Sequence, residues 1–279
     1  MIQNSYNDTP TLYLIPTPIG NLEDITYRAV KVLEEVDVIF SEDTRVTLNL
    51  LNNFGIKNKL ISLHEHNEDV VKTQVLEYLK NGSSVGLVTD RGTPIISDPG
   101  YKTVKYVSDN GYNVVALPGA TAFACALVTS GISPQPFLFY GFLNSKDSKK
   151  REELELLKEN EYTMIFYEAP HRIIKTLNMM LEVFGNREIS ISREITKKFE
   201  SIYRGKLEDV IKIVPEKGEF VIVIEGNKLS NIDFNLSIKE AVDLYIKNGF
   251  DVMTSIKKVS KDRKTPKNEV YKKYHGKDD

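Results

Sequence analysis

Short apolar runs alternate with amphipathic segments over the first half of the chain. The runs have the length of β-strands and lie at residues 11–15, 37–40, 59–63, 84–89 and 112–117. Between them, apolar residues recur three and four positions apart, which predicts helices at residues 25–36, 45–54, 69–80 and 101–109. Strands that alternate with helices favour a parallel sheet with crossover connections, so this half predicts an α/β domain.

The alternation changes after the segment Pro134-Gln135-Pro136. Strands are predicted at residues 137–142, 162–167, 188–193, 199–204 and 219–225, and helices at residues 145–160, 171–184 and 207–213. The strands at 188–193 and 199–204 follow one another without a helix between them, which indicates a mixed sheet. A second α/β domain is therefore expected.

The C-terminal region predicts a small helical module. A polar linker at residues 227–235 precedes three short helices at residues 238–248, 251–260 and 266–274, which together have the size of a helix-turn-helix-like unit. The expected fold class is α/β, with two α/β domains and this module. The domain boundaries are predicted at residues 1–118, 119–228 and 229–279.

Composition narrows the class of protein. Of 279 residues, 41% are hydrophobic and 27% are charged, which is typical of a folded globular protein. The single cysteine, Cys125, excludes an intramolecular disulfide and a cysteine-based zinc site. The N-terminal residues lack the pattern of a signal peptide, and no apolar run approaches the roughly 20 residues that span a bilayer. We expect a cytoplasmic protein that does not bind a membrane.

Basic residues concentrate near the C-terminus although the net charge is only −2. Residues 253–277 contain nine basic residues against two acidic ones, a net charge of +7, so the rest of the chain carries −9. The basic residues are Lys257, Lys258, Lys261, Arg263, Lys264, Lys267, Lys272, Lys273 and Lys277. Such a tail is typical of contact with a polyanion, while a solvated helix face is the alternative.

The loops at the carboxyl ends of the predicted strands are the candidates for binding, because open α/β sheets hold ligands there. The sequence contains neither G-x-G-x-x-G nor a P-loop. Residues 90–100, DRGTPIISDPG, offer Gly92 for a close backbone approach, Pro94 and Pro99 to fix φ, and Asp90 for a ribose diol or an ammonium group. A structural interpretation makes Asp98 the cap of the next helix.

Other strand-end loops also carry polar groups. SEDTR (41–45) offers a general base and an arginine that could clamp phosphate, or else Asp43 or Thr44 as a helix cap. HEHNE (64–68) is a weak metal pattern without a third ligand, and contact with substrate or helix capping is the stronger interpretation. YEAPHR (167–172) and REITKK (193–198) are either surface charge or the far side of an interdomain cleft.

Seven segments occur together in an order typical of one enzyme family. They are LIPTPIGNLEDITYRAVKVL, SEDTR, HEHNE, TDRGTPIISDPG, LPGAT, FYEAPHR and REITKKFE. On these motifs, residues 12–226 resemble the 16S rRNA (cytidine-2'-O-)-methyltransferases of the tetrapyrrole-methylase-like, class III, S-adenosylmethionine-dependent family. The tail resembles the helix-turn-helix extension of that family. Arg91 and Asn144 depart from the family, where alanine and proline are usual, but neither removes the chemistry of a motif.

The resemblance implies methylation of the ribose 2'-hydroxyl of a cytidine in the decoding region of 16S rRNA (position 1402 in the usual numbering). It implies S-adenosylmethionine as cofactor, in a cleft between the two α/β domains, and a homodimer that acts on 16S rRNA or the 30S subunit without a metal. By motif position, the cofactor contacts fall on Pro16, Pro18, Ile19, Asp90, Gly92, Thr93, Pro94, Ala120, Thr121 and Tyr167.

The chemistry of methyl transfer indicates which further residues to consider. Transfer from a sulfonium is an in-line displacement and depends on positioning, while a ribose hydroxyl benefits from a general base or a cation. The catalytic candidates are Glu42, Asp43, Arg45, Glu168, Arg193, Glu194 and Lys197. The candidates for RNA binding are Arg172, Lys257, Lys258, Lys261, Arg263, Lys264 and Lys267.

Two alternatives stay open at this point. One is a methylase that acts on a tetrapyrrole, against which the basic tail and the polar SEDTR, HEHNE and YEAPHR loops argue. The other is a nucleic-acid-binding protein without enzymatic activity, which would have no need for these strand-end loops.

Overall fold

The chain divides into two units, each built around its own β-sheet. The first unit holds residues 1–125 and 195–199, and the second holds residues 126–194 and 200–279. The computed structural model describes residues 2–5, 7–228, 236–247 and 250–276. Most of the predicted linker (229–235), the last residue of the predicted helix 238–248, and Lys277 lie outside the described residues.

The sheet of the first unit is entirely parallel, as the sequence predicts. Its strands are β1 (Thr11–Leu14), β2 (Val38–Ser41), β3 (Leu60–Ser62), β4 (Val85–Val88) and β5 (Asn113–Ala116). Their order across the sheet is β3-β2-β4-β1-β5. In β2, Ile39 and Phe40 belong to different buried clusters, because successive side chains of a strand point to opposite faces. Both faces are therefore covered, which explains why the strands are continuously apolar.

Helices lie along the sequence between these strands. They are α1 (Tyr27–Glu35), α2 (Thr44–Asn53), α3 (Glu68–Lys80) and α4 (Tyr101–Asp109). Leu33 and Leu51, from the first two helices, share one cluster with Ile39, whereas the cluster of Phe40 contains Val75 and Val107, from the other two. The predicted start of α1 at residue 25 is wrong because Thr26 caps this helix, accepting a hydrogen bond from the Ala29 N–H at 3.0 Å.

Helix α5 (Ala122–Thr129) was not predicted. Its sequence, AFACALVT, is apolar on every side, so it lacks the amphipathic period by which the other helices are recognised. The side chain of Ala126 is fully buried, whereas Val128 is 76% exposed. Apolar side chains on an exposed surface thus hide the helical pattern.

The order of the strands creates a switch point in the first sheet. The chain leaves β1 towards β2, on one side, and leaves β4 towards β5, on the other. Because β1 and β4 are neighbours, their carboxyl ends flank a crevice of the kind in which open α/β sheets bind ligands.

The sheet of the second unit is mixed, as predicted. It consists of β6 (Phe137–Phe142), β7 (Thr163–Glu168), β8 (Glu188–Arg193), β9 (Ser201–Lys206) and β10 (Phe220–Ile224), in the order β6-β7-β10-β8-β9. Only β6 and β7 pair in parallel. The helices are α6 (Asp147–Leu157), α7 (Ile173–Phe184) and α8 (Leu207–Val210). Phe166, Ile191 and Ile222 of the sheet form one buried cluster with Leu177 and Met180 of α7.

The three helices predicted near the C-terminus are present. They are α9 (Ile238–Lys247), α10 (Val252–Asp262) and α11 (Lys267–Tyr274). Val242, Tyr245, Ile256, Val259 and Val270 give them a buried cluster of their own. We call these helices the C-terminal module. Over the described part of the chain, no helix is both long and apolar enough to cross a membrane.

Candidate active site

Three loops of the first unit follow neighbouring strands at the switch point. Residues 16–21 follow β1, residues 89–100 follow β4, and residues 117–121 follow β5. Since the strands are parallel, all three loops leave the same edge of the sheet. These are the loops on which the sequence places most of the expected cofactor contacts.

Hydrogen bonds join the three loops. The Thr17 N–H donates to the Gly92 carbonyl at 2.9 Å, and the Gly92 N–H donates back to the Thr17 carbonyl at 3.0 Å. The Thr93 hydroxyl donates to the Ala120 carbonyl at 3.1 Å and lies 2.7 Å from the Thr121 hydroxyl oxygen. The loops therefore form one connected rim rather than three independent segments.

Two glycines allow this close approach. Gly92 has φ +84°, and a Cβ at this position would lie 3.2 Å from Cγ2 of Ile19 and 3.5 Å from the Ala120 carbonyl oxygen. A Cβ on Gly119 would lie only 2.4 Å from Cβ of Pro16, a separation that real side chains do not reach. The backbone contact between the loops after β1 and β5 thus requires glycine at position 119.

The expected cofactor residues fall into two groups. Those carried by the three loops of the first unit are Pro16, Pro18, Ile19, Asp90, Gly92, Thr93, Pro94, Ala120 and Thr121. Tyr167 lies instead in β7 of the second unit, where its ring centroid is 5.1 Å from that of Phe139 and 5.4 Å from that of Phe142.

Carboxyl groups lie at the ends of β2 and β4. One oxygen of Asp90 accepts a hydrogen bond from the Asp43 N–H at 3.0 Å, and Glu42 accepts one from the Thr89 hydroxyl at 2.9 Å. Burial, together with the charges of Glu42 and Asp90, raises the pKa of Asp98 to about 6. Burial also raises the pKa of Asp90. This edge of the sheet therefore holds a carboxyl group that exchanges its proton close to neutral pH.

The structural interpretation of Asp98 as a helix cap is wrong. The N-cap position of α4 is Gly100, which carries no side chain that could cap the helix. The loop before it holds Ile95 and Ser97 at φ +76°, which is costly for residues that carry a Cβ and most of all for a β-branched one. Asp98 is turned instead towards the Thr89 hydroxyl, whose hydrogen bond partly offsets the rise in its pKa.

The SEDTR segment matches its structural interpretation in part. Asp43 is the N-cap of α2, with its carboxylate accepting from the Arg45 N–H at 2.9 Å and pairing with the Arg45 guanidinium at 2.6 Å. These hydrogen bonds lower the pKa of Asp43 to about 2. Asp43 is therefore ionised and committed to α2 and Arg45, whereas Glu42 receives its hydrogen bond from a side chain at the neighbouring strand end.

The HEHNE segment closes a turn and anchors α3. The Asn67 side chain accepts from the His64 N–H at 2.8 Å and donates to the Ser62 carbonyl at 3.0 Å. Glu68 is buried and accepts from the Thr103 N–H at 3.0 Å, at the start of α4. Within residues 2–5, 7–228, 236–247 and 250–276, no group of three or more His, Cys, Asp or Glu side chains could hold a metal ion.

In the second unit, Glu168 is enclosed by polar partners. It is 2% exposed, lies 2.8 Å from Nε of Arg172 and 3.6 Å from Nζ of Lys150, and accepts from the Thr176 hydroxyl at 2.5 Å. Arg172 also donates to the Leu143 carbonyl at 2.8 Å. Lys150 donates to the Thr176 hydroxyl at 2.6 Å, and burial lowers its pKa. Glu168 and Arg172 thus belong to an internal network that fixes the start of α7.

The REITKK segment is divided between the units. Glu194 has φ +53° and accepts from the Glu219 N–H at 2.9 Å, while Nε of Arg193 donates to the Lys217 carbonyl at 2.5 Å. Both residues are in the second unit. The side chains of both candidates are therefore held by backbone groups of their own unit.

Lys197 belongs to the first unit and lies against the loop after β1. A Cβ on Gly20 would come within 2.4 Å of Cγ of Lys197, so the lysine stem packs directly on this glycine. The Thr196 hydroxyl donates to the Asp24 carboxylate. Of the catalytic candidates, the first unit thus holds Glu42, Asp43, Arg45 and Lys197, and the second holds Glu168, Arg193 and Glu194.

Three of the predicted RNA-binding side chains have partners inside the second unit: Arg172, which is held by Glu168 and the Leu143 carbonyl, Lys258 and Arg263. Nζ of Lys258 lies 2.7 and 2.9 Å from the two carboxylate oxygens of Glu159, and 4.7 Å from the ring centroid of Phe250. Arg263 donates to the Leu236 carbonyl at 2.5 Å. Lys258 therefore fastens the C-terminal module to the end of α6 and is poorly placed to contact a phosphate.

Three participants in these networks were not predicted. Thr89 links two strand ends, and Gly119 gives the loops their close approach. A signal for Gly119 exists in the Pro-Gly pair that follows an apolar run. Nothing in the sequence distinguishes the buried Lys150 from the exposed Lys149 beside it, since the role of Lys150 depends on Glu168, which follows in another element.

The fold is that of a known class of enzyme. Residues 11–211 match the family model of the tetrapyrrole (corrin/porphyrin) methylases. The chain belongs to this family and is a methyltransferase.

Relatives in bacteria have a more specific name, Ribosomal RNA small subunit methyltransferase I. The Bacillus subtilis protein is 48% identical over 281 aligned positions, which cover 98% of this chain and 96% of the relative. The Halalkalibacterium halodurans protein is 44% identical and covers 98% of both chains, and that of Buchnera aphidicola is 41% identical and covers 96% of both. The resemblance inferred from the seven motifs is confirmed.

Solved structures support the fold. Diphthine synthase superposes with a TM-score of 0.59 at 13% identity, covering 77% of this chain and 90% of its own. Uroporphyrin-III-C-methyltransferase from Thermus thermophilus has a TM-score of 0.54 at 17% identity, covering 76% and 93%. The predicted α/β fold class is thereby confirmed.

Proposed function

We propose that this methyltransferase uses S-adenosylmethionine to methylate the ribose 2'-hydroxyl of a cytidine in 16S rRNA. The observation that carries the proposal is the 48% identity, over nearly the full length of both chains, to a relative named as a small-subunit rRNA methyltransferase. The basic C-terminal module supports an RNA partner, either free 16S rRNA or the 30S subunit.

The three joined loops fit a bound nucleoside cofactor. Their backbones meet where a Cβ at position 92 or 119 would intrude, so backbone groups rather than side chains form the rim. Asp90, at the end of β4, would hold a hydroxyl or an ammonium group of the cofactor. Thr93 and Thr121 would position the adjoining part of the cofactor. When bound, S-adenosylmethionine would supply a methyl group on a positively charged sulfur.

Within the first unit we assign Glu42 as the residue that accepts the proton of the ribose hydroxyl. Asp43 is held by Arg45, and Glu168 is buried among its partners, so neither is poised to take a proton from a substrate. Lys197 beside Gly20 would stabilise the developing alkoxide, and Arg193 would hold a phosphate. Glu194, which accepts from the Glu219 N–H, would position that segment.

Homodimerisation and a cytoplasmic location complete the proposal, both by analogy with the family. Size-exclusion chromatography with light scattering measures the oligomeric state. A monomer at micromolar concentration would contradict it.

The decisive experiment is methylation of 30S subunits, and of free 16S rRNA, from a strain that lacks the gene. We expect one 2'-O-methylcytidine, located by its resistance to alkaline hydrolysis. Glu42→Gln should lower turnover at least tenfold with unchanged cofactor affinity, whereas Asp90→Ala should weaken S-adenosylmethionine binding in calorimetry. A methyl group on a base, or none on RNA, would contradict the assignment.

A tetrapyrrole acceptor is the second candidate, because the matching family model is described by that substrate class. The same enzyme preparation, incubated with a uroporphyrinogen and S-adenosylmethionine, tests it directly. We expect no methylated macrocycle, since a small macrocycle has no use for the basic module.

A further inference from the structure

The outer side of α11 carries an exposed polar and aromatic surface. Val270 is buried and Tyr274 is half-buried, so these residues form the inner side of the helix. Asn268, Tyr271, Lys272 and His275 recur three or four positions apart on the opposite side and are exposed. We call these four residues, together with Lys264 in the preceding turn, the α11 face.

The lysines of the C-terminal module differ in whether they form an ion pair. Lys258 is paired with Glu159, and Lys273 with Glu269 at 2.9 Å. In contrast, the others form no ion pair with any residue that the structure describes: Lys257, Lys261, Lys264, Lys267 and Lys272. Unpaired cations on α10, α11 and the turn between them give the module a positive potential that suits a phosphate backbone, and of these Lys264 and Lys272 belong to the α11 face.

Two rings lie on the α11 face, which also carries Lys272. The centroids of Tyr271 and His275 are 4.4 Å apart with an interplanar angle of 52°, and Tyr271 is 39% exposed. The buried cluster of the module is formed by other residues, so the pair contributes little to its core. Aromatic rings among lysines are the arrangement on which unpaired nucleic-acid bases stack.

We propose that the α11 face binds a single-stranded segment of RNA, with bases stacking on Tyr271 and His275 and phosphates contacting Lys264 and Lys272. This inference rests on the proposed function and adds to it the form of RNA that the module takes. In duplex RNA the bases are stacked on one another and cannot reach the rings, so only the phosphate contacts would remain.

The test is fluorescence anisotropy of the full-length protein with a labelled oligoribonucleotide of about 12 nucleotides, single-stranded or annealed, over a salt series. Tyr271→Ala should weaken single-strand binding about tenfold with an unchanged salt slope, since a stack carries no charge. Tyr271→Phe should retain the affinity, because stacking needs the ring and not the hydroxyl. Duplex binding should not change in either variant.

A matched pair of neighbouring lysines tests the phosphate contacts. Lys272→Gln should lower the slope of log K against log salt by about 0.7, the value for one contact to a single strand. Lys273→Gln removes the same charge from a lysine already paired with Glu269 and should leave the slope unchanged. Circular dichroism confirms that the variants keep their helices.

The inference is overturned if Tyr271→Ala binds the single strand like the wild type, if it loses duplex affinity equally, or if both lysine variants change the slope alike. These outcomes are separate from failure of the proposed function. A wild-type protein that binds the single strand through Tyr271 but methylates no rRNA would refute the function alone. Methylation with unchanged RNA binding in Tyr271→Ala would refute only the inference.

Discussion

Replacement of Asp98 by asparagine should stabilise the protein at neutral pH. In the folded chain, burial and the charges of Glu42 and Asp90 raise the pKa of Asp98 from an ordinary 3.8 to about 6. Between these two values the folded state binds more protons than the unfolded state, so stability falls as the pH rises through this window. Above pH 6 Asp98 is ionised in the folded protein, and the full free-energy cost of burying its charge lowers stability. Asparagine carries no charge and removes this cost.

The size of the effect follows from the two pKa values. The difference between 3.8 and about 6, at about 1.4 kcal/mol per pH unit, gives about 3 kcal/mol for a carboxylate fully shielded from water. The Asp98 side chain is only partly buried, so solvent screening reduces this to about 1–2 kcal/mol. The amide N–H of the substituted side chain can donate a hydrogen bond to the Thr89 hydroxyl oxygen, whose own proton is donated to Glu42, so the packing of the loop is preserved.

Urea unfolding at about pH 4 and about pH 7.5 measures the free energy of unfolding of both proteins. Asp98→Asn should exceed the wild type by about 1–2 kcal/mol at the higher pH and by less than about 0.5 kcal/mol at the lower pH, which is close to the unfolded pKa. Asp109→Asn, on the exposed end of α4, serves as the control for loss of a carboxylate. A variant that is less stable at pH 7.5, or more stable by the same amount at both pH values, would refute the reasoning.

Two further substitutions separate the roles of the loops and of the buried network. Gly119→Ala places a Cβ against Pro16 and should lower S-adenosylmethionine affinity about tenfold in calorimetry, because about 1–3 kcal/mol is needed to part the loops. Glu168→Gln leaves Lys150 buried without its counter-charge and should lower the free energy of unfolding by about 3–5 kcal/mol in a urea titration.

Each of these substitutions has a control. Gly82→Ala, at a turn with open space around the new Cβ, should leave cofactor affinity unchanged even though φ is positive there. Glu42→Gln is the control for Glu168→Gln. It should lower turnover and leave the free energy of unfolding within about 0.5 kcal/mol of the wild-type value. If Glu168→Gln were as stable as the wild type but inactive, Glu168 would be catalytic rather than structural.

The sequence by itself determined much of the framework. Apolar periodicity identified all ten strands of the described chain and ten of its eleven α-helices, because it records whether a residue faces the core. The boundaries shifted where caps decide them, as at Thr26, and α5 was missed because its apolar residues do not segregate to one side. The seven motifs identified the family, since their order and spacing are specific.

The tertiary structure alone decided which of the polar residues act together. The apolar periodicity of a segment does not indicate which residue of a distant element a given side chain will contact. The contact of Gly119 with Pro16, the pairing of Lys150 with Glu168 and the pairing of Lys258 with Glu159 all join such elements. The same is true of the raised pKa of Asp98, which depends on burial and on charges that arrive from the end of another strand. Residue type indicated the possible chemistry, and only packing distinguished a candidate for the site from an ion pair within the core.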